Sequence, residues 1–272
     1  MNRILFEKDE IVNGVATFGG ERAEHVMNVL HGEIGQVLKT GEVNGPIGTS
    51  EITAIKGEAA KGEAASSPLV ENGGGIKVRC NHTEQSLRPW IDLILAPPRP
   101  RVMKRLLPQL ATMGVGRIFL VGAKKVEKDF WGATLLKEEN YRPLLIDGLM
   151  QAGTSILPTL ETRRNFRKFV KEELDALWPE AKRIVAHPYG ADSTRIFANV
   201  ANARESFAEI RSIREDSRSE AVLLAVGPEG GWTDEEVTLL EEHDFARYSL
   251  GSRILRTDTA VIALLARLMD IA

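Results

Sequence analysis

The sequence predicts an α/β protein in two parts. A strand-rich module spans 1–86, and an α/β domain on a mostly parallel sheet spans 87–272. Three observations carry this reading. Short apolar pieces separated by glycine-rich turns fill the first part, as in a small β-barrel. From about residue 88, apolar strand-like runs alternate with helical patterns, which is how a parallel sheet covered on both faces is written. Between two strands of the first part lies the low-complexity stretch 56–75, "KGEAAKGEAASSPLVENGGG". It has too little apolar surface to offset its ordering entropy and reads as a mobile hairpin insertion.

In chain order, the strand pieces of the module are "RILF", "GVATF", "QVLKTGEV", "GTSEITAI" and "GIKVRC", with one helical piece, "GERAEHVMNVL" (20–30). The domain opens on "WIDLILA" (90–96), a run fit for a buried strand. "VMKRLLPQLATMG" follows with helical spacing, and Pro108 must start or kink that helix. "GRIFLVG" is a strand, "LLKEENYRPLLIDGLMQAG" a helix, "FRKFVKEELDALW" an amphipathic helix, and "KRIVAHP" and "AVLLAV" strands. The apolar C-terminal helix packs inside the domain or against a second subunit.

Composition bounds the function. With 43% hydrophobic and 27% charged residues, the chain can build a core and stay in water. Apolar runs such as "AVIALLA" (260–266) fall short of the roughly 20 residues of a membrane span. The charged N-terminus lacks an export signal's apolar stretch, so a cytoplasmic protein is expected. Cys80 is the single cysteine, so no internal disulfide forms. The five histidines, at 25, 31, 82, 187 and 243, have no zinc-ligand spacing, and no metal is expected. Net charge is −3, yet "RPRVMKR" (99–105) and "RRNFRKFVK" (163–171) hold basic residues and no acid. They read as solvated helix faces or as phosphate-binding strips, the second naming Arg163, Arg164 and Arg167.

The chemistry concentrates in "AVLLAVGPEGGWTDEEV". "AVLLAV" is continuous and apolar, as a strand buried on both faces is. Thr233 and Glu236 have capping-box spacing and start a helix. The glycine turn 227–231 therefore lies at the carboxyl end of a parallel strand, where open α/β sheets bind ligands. A bare strand-helix corner is the alternative. Phosphate cradles do not fit: neither the P-loop pattern nor G-x-G-x-x-G occurs, and Glu229 repels phosphate. The acidic turn suits a positively charged ligand such as a sulfonium. A second turn follows in "YSLGSRILRTDTAVIALLARL" (248–268), with Gly251 after the strand "FARYSL". Thr257 reads as the N-cap of a helix from Asp258. Arg256 and Asp258 are either an ion pair at that helix start or reactive groups beside Glu229.

"GPEGG" (227–231) followed by "LGSRILRTDTA" (250–260) resembles the SPOUT-class RNA methyltransferases, and within them the RsmE family, which methylates N3 of a uridine in 16S ribosomal RNA. "HVMNVL", "WIDLILA", "LATMGV" and "AHP" extend the likeness along the chain. The resemblance implies a trefoil-knotted C-terminal domain, a PUA-like N-terminal β-barrel that helps bind RNA, and a homodimer. It implies S-adenosylmethionine as cofactor, held by Gly227, Gly231, Leu250, Gly251, Ile254 and Leu255, with His187 and Pro188 from another strand. Arg256 and Asp258 match the reactive end, with Glu229 beside them. Arg3 and His25 match positions of the RNA-binding module. The family commonly has Glu at the position of Asp258 and Arg at that of His31. It has an acid and arginines where this chain has Met150, Thr154 and Ile156. On residues alone two alternatives stay open: a methyltransferase acting on another RNA nucleotide, and a non-catalytic dimeric RNA-binding protein.

Overall fold

A computed structural model describes residues 2–56, 75–188 and 222–269. The repeat "KGEAAKGEAA", read as a mobile insertion, falls outside these residues apart from Lys56. The chain forms two compact units: Met1–Leu87 with Leu149–Leu157, and Arg88–Gly148 with Pro158–Ala272.

The first unit is a six-stranded sheet. Its strands are β1 (Ile4–Phe6), β2 (Ile11–Val12), β3 (Val15–Phe18), β4 (Val37–Glu42), β5 (Ile47–Ile55) and β6 (Ile76–Glu84), in the order β1-β4-β5-β6-β3-β2. Pairing is antiparallel except between β1 and β4. Alternate residues point inward, so Ile76 and Val78 of β6 are buried while Lys77 and Arg79 are not. Helix α1 (Gly20–Asn28) adds Ala23 and Val26, three apart on one face, to a core with Ile4, Phe6, Phe18, Leu38 and Ile52.

The short segment Leu149–Leu157 is hydrogen-bonded into this unit. The Met150 carbonyl accepts the backbone N–H groups of Asn2 and Arg3, both at 3.0 Å. The Ser155 carbonyl accepts from Asn44 N–H at 2.8 Å, and its hydroxyl donates to the Gly45 carbonyl at 2.6 Å. Thr154 shares a hydroxyl hydrogen bond of 2.7 Å with Ser86.

The second unit is a six-stranded, wholly parallel sheet. Its strands are β7 (Ile91–Leu95), β8 (Val115–Val121), β9 (Thr159–Arg163), β10 (Lys182–Ala186), β11 (Val222–Val226) and β12 (Phe245–Tyr248), in the order β12-β10-β11-β7-β8-β9. Strand β7, and β11 from Leu223 onward, are buried as expected, β7 with the carboxylate of Asp92 among its buried residues. Helix α2 (Pro100–Thr112) buries Met103, Leu106, Leu107, Leu110 and Ala111, a single helical face. Pro100 occupies the helix start, where its missing N–H costs nothing, so Pro108 lies inside the helix rather than at its beginning. Helix α3 spans Glu138–Ala152. The pattern 166–178 forms two helices rather than one, α4 (Phe166–Glu172) and α5 (Leu174–Leu177). The break falls at Glu173, whose carboxylate is bound by Arg163 Nε at 2.6 Å. Strand β9 was not anticipated, because "TLETR" is a charged edge strand with no apolar run.

Helix α6 (Asp234–Glu241) has the expected capping box: Thr233 accepts the Glu236 N–H, and Glu236 accepts that of Thr233 at 2.9 Å. Helix α7 (Thr257–Met269) begins one residue earlier than predicted. The Arg256 carbonyl takes its first hydrogen bond, from Ala260 N–H at 2.8 Å. Thr257 is therefore inside the helix, and its hydroxyl donates to the Gly227 carbonyl at 3.4 Å instead of capping. Among the described residues no helix is long and apolar enough to cross a membrane.

Candidate cofactor cleft

Three neighbouring strands, β12, β10 and β11, end on the same side of the parallel sheet. Their carboxyl ends carry the two glycine turns and the His187–Pro188 corner. Together these segments enclose a cleft of about 270 Å3. That is close to the lower end of small-molecule sites, about 300 Å3. All eight residues expected to hold a cofactor line it: His187, Pro188, Gly227, Gly231, Leu250, Gly251, Ile254 and Leu255. Glu229 lines it too.

The local backbone explains the glycines. Gly231 and Gly251 have φ of +69° and +117°, a region that side chains with a Cβ rarely adopt. At Gly227 a Cβ would stand 2.9 Å from the Trp232 backbone nitrogen, so the turn closes only without one. Leu250 and Ile254 are 38% and 70% exposed although apolar, and they form a wall that a ligand would cover. Tyr248 also faces the cleft. Burial pushes its phenol above the ordinary value, and a hydrogen bond with Arg267 partly offsets this. Trp232 lines the cleft, is 4% exposed and stacks on Phe166 at 5.1 Å. Its indole N–H has no acceptor among the described residues.

The turn 227–231 is braced from outside the cleft. Lys125 Nζ donates to the Gly230 carbonyl at 2.7 Å. Arg99 N–H donates to Glu229 Oε1 at 3.2 Å. Glu236, 7% exposed, accepts Lys124 N–H at 2.7 Å as well as the Thr233 N–H.

The two residues expected at the reactive end, Arg256 and Asp258, are both absent from the cleft's lining. Asp258 lies 3.6 Å from Arg105 of α2. Arg256 is exposed, and its side chain makes no ion pair or hydrogen bond among the described residues. The ion pair between Arg256 and Asp258, one of the two sequence readings, does not form among the described residues; Asp258 faces Arg105 instead.

The five residues expected at RNA are spread over both units, and four are already engaged. In the first unit, Arg3 donates to the carbonyls of Gly153, Thr40 and Gly48 at 3.0, 2.5 and 2.8 Å. Burial lowers its pKa, with Glu84 opposing. His25 and Arg3 line a separate cavity of about 600 Å3 in that unit, and His25 Nε2 is buried without a partner among the described residues. In the second unit, Arg163 pairs with Glu173 and Glu161 at 2.6 and 2.9 Å. Arg164 lies over the Trp131 ring, and Arg167 pairs with Glu235 at 2.9 Å. Sequence reasoning gave no role to Trp232, Tyr248 and Lys125, and read Arg105 only as part of the basic run 99–105. Trp232 and Tyr248, beside the two glycine turns, had a local signal.

A parallel sheet with a glycine-walled cleft at its carboxyl edge is the architecture of a nucleotide-binding α/β domain. Residues 84–269 match the family model described as RNA methyltransferase domain, and the chain belongs to that family. It is 28% identical over 265 residues to a ribosomal RNA small subunit methyltransferase E of Treponema pallidum, covering 97% of this chain and 88% of the relative. It is 30% identical over 165 residues to the ribosomal RNA small subunit methyltransferase E 1 of Borreliella burgdorferi, covering 61% of this chain and 60% of the relative. The fold is shared with a solved ribosomal RNA small subunit methyltransferase E from Neisseria gonorrhoeae bound to S-adenosyl methionine. The TM-score is 0.67 at 20% identity, with 100% of this chain and 98% of that one covered. A methyltransferase from Legionella pneumophila in complex with SAM gives the same TM-score at 23% identity, with 99% and 97% covered.

Proposed function

We propose that this protein uses S-adenosylmethionine to methylate N3 of one uridine in the 16S RNA of the small ribosomal subunit. The observation that carries the reading is the meeting of both glycine turns and His187–Pro188 around one cleft. The residues there fit the cofactor. Main-chain groups and apolar walls suit a nucleoside, and Glu229 suits a positive sulfur. The cofactor supplies a methyl carbon already activated by that charge. Gly227, Gly231, Leu250, Gly251, Ile254 and Leu255 would hold it, together with His187 and Pro188.

Uridine N3 carries a proton and is a poor nucleophile until that proton is polarised or lost. Arg256, without a counterion among the described residues, stabilises the negative charge that develops on the uracil oxygens. Glu229 lines the cleft and takes the N3 proton directly or through water. Because N3 lies on the Watson–Crick edge, the target base must be unpaired or extruded from its stack. Arg101 and Lys104 on the first turns of α2 carry charge without a partner among the described residues and track the phosphates. Arg163, Arg164 and Arg167 join them only by exchanging their present partners. The first unit, with Arg3 and His25, is a PUA-like barrel that contributes RNA contacts. The second is a trefoil knot, and the working form is a cytoplasmic homodimer.

The test is transfer itself. The protein, small-subunit RNA and S-adenosylmethionine should yield 3-methyluridine on nucleoside mass spectrometry; a methyl group on another nucleoside, or none, rejects the reading. Arg256→Ala should slow transfer about 100-fold, the scale of one lost oxyanion donor. Cofactor affinity by equilibrium dialysis should stay near the parental value.

A further inference from the structure

Three acids, Glu229, which lines the cleft, Glu127 and Asp258, are engaged by Arg99, which precedes α2, or by Arg105 in its second turn. Arg99 N–H binds Glu229, Arg99 Nε binds Glu127 at 2.9 Å, and Arg105 faces Asp258. Asp258 is the most fully occupied. Its Oδ1 accepts the Thr259 N–H at 2.9 Å, and its Oδ2 lies 3.6 Å from Arg105 Nη2. Two residues earlier, Arg256 has no counterion among the described residues. Arg256 and Asp258 stand two residues apart, on either side of the helix start, and no ion pair forms between them among the described residues.

Stability does not explain the arrangement. Arg105 is 67% exposed and Asp258 26%, and exposed pairs at this separation contribute little. The consequence for charge is larger. With Asp258 bound to Arg105, Arg256 keeps its full positive field. Without Arg105, Asp258 would lose its cation and be left to turn toward Arg256, two residues away.

We propose that Arg105 is a positioning residue for methyl transfer: it sequesters Asp258 so that the Arg256 guanidinium is free to meet the anionic uracil. The proposal rests on the function given above, with Arg256 as the group that touches substrate. Arg105 itself touches neither substrate nor cofactor.

A double-mutant cycle tests this. Parent, Arg105→Ala, Asp258→Asn and the double variant are compared for kcat and KM with small-subunit RNA, and for S-adenosylmethionine affinity. In the parental background Arg105→Ala should lower kcat about tenfold, within the range of coupled neighbours. Cofactor affinity should be unchanged, which also reports an intact fold. With Asn at 258 the same Arg105→Ala change should leave kcat where Asp258→Asn put it, since no carboxylate remains to capture Arg256. Arg105→Lys, which keeps the positive charge, should retain most of the rate. An equal loss in both backgrounds would overturn the proposal, because Arg105 would then act on substrate or structure directly. So would an undiminished kcat for Arg105→Ala in the parental background. A parent that transfers no methyl group at all rejects the functional reading, and this role with it.

Discussion

Gly251 shows how much of the cleft is backbone. Its φ of +117° is open to glycine and strained for any other residue, and nothing lies within 4 Å of where a Cβ would stand. The cost of Gly251→Ala is therefore conformational rather than steric. Forcing that position should cost about 1–3 kcal/mol or bend the turn away. The expected outcome is weaker S-adenosylmethionine binding in calorimetry with a modest loss of thermal stability; unaltered binding would mean that the turn's shape does not matter to the ligand. At this scale the sequence was informative, because glycine, proline and cap residues act locally. Gly227, Gly231 and Gly251 announce their turns within a few residues. Arg105 announces nothing, since its partner Asp258 lies in a distant helix. The same blindness affects the cluster at 163–171. It contains no acid, yet Glu161, Glu173 and Glu235 are brought to Arg163 and Arg167 by folding.

Strands and helices were legible where burial is two-sided and illegible at edges. "AVLLAV" and "WIDLILA" are buried on both faces and look so in the sequence. Strand β9 occupies a sheet edge, with Thr159 and Thr162 exposed and Glu161 half-buried, and carries no such pattern. The apolar periodicity of 166–178 continues through Glu173, so the break between α4 and α5 is invisible to it. In the first unit, β6 makes a pH-dependent contribution. His82 Nε2 lies 2.8 Å from the Thr40 hydroxyl on β4, which in turn lies 2.6 Å from Ser50. Burial pushes the His82 pKa below its ordinary 6.5; nearby Arg3 lowers it further and Glu42 opposes. The unfolded chain thus binds this proton more readily than the native one. Stability from His82 is complete above about pH 6.5 and declines as pH falls through the lower native value. Urea denaturation at about pH 7.5 and about pH 5.5, on either side of an ordinary histidine, should show less of a difference for His82→Gln than for the parent. Equal differences would exclude His82 as the source.

For the molecule as a whole, a net charge of −3 conceals an uneven distribution. In α2, Arg101 and Lys104 are unpaired among the described residues, whereas the arginines of 163–171 are held by acids or aromatic rings. Reversing Arg101 and Lys104 together should weaken RNA binding and flatten its dependence on log salt by about 0.7 per lost contact with a single strand. Reversing Arg164 and Arg167 should flatten it less, and the opposite ranking would relocate the phosphate track to α4. One feature of the architecture reaches back to synthesis. The amides of Asn2 and Arg3 dock on the Met150 carbonyl, and Asn44 on that of Ser155. A ribosome making this chain must therefore release about half of it before the two amides ahead of β1 can meet their acceptor. The amino-terminal unit, its six strands already made, waits for a strap of nine residues, Leu149–Leu157, translated long after them.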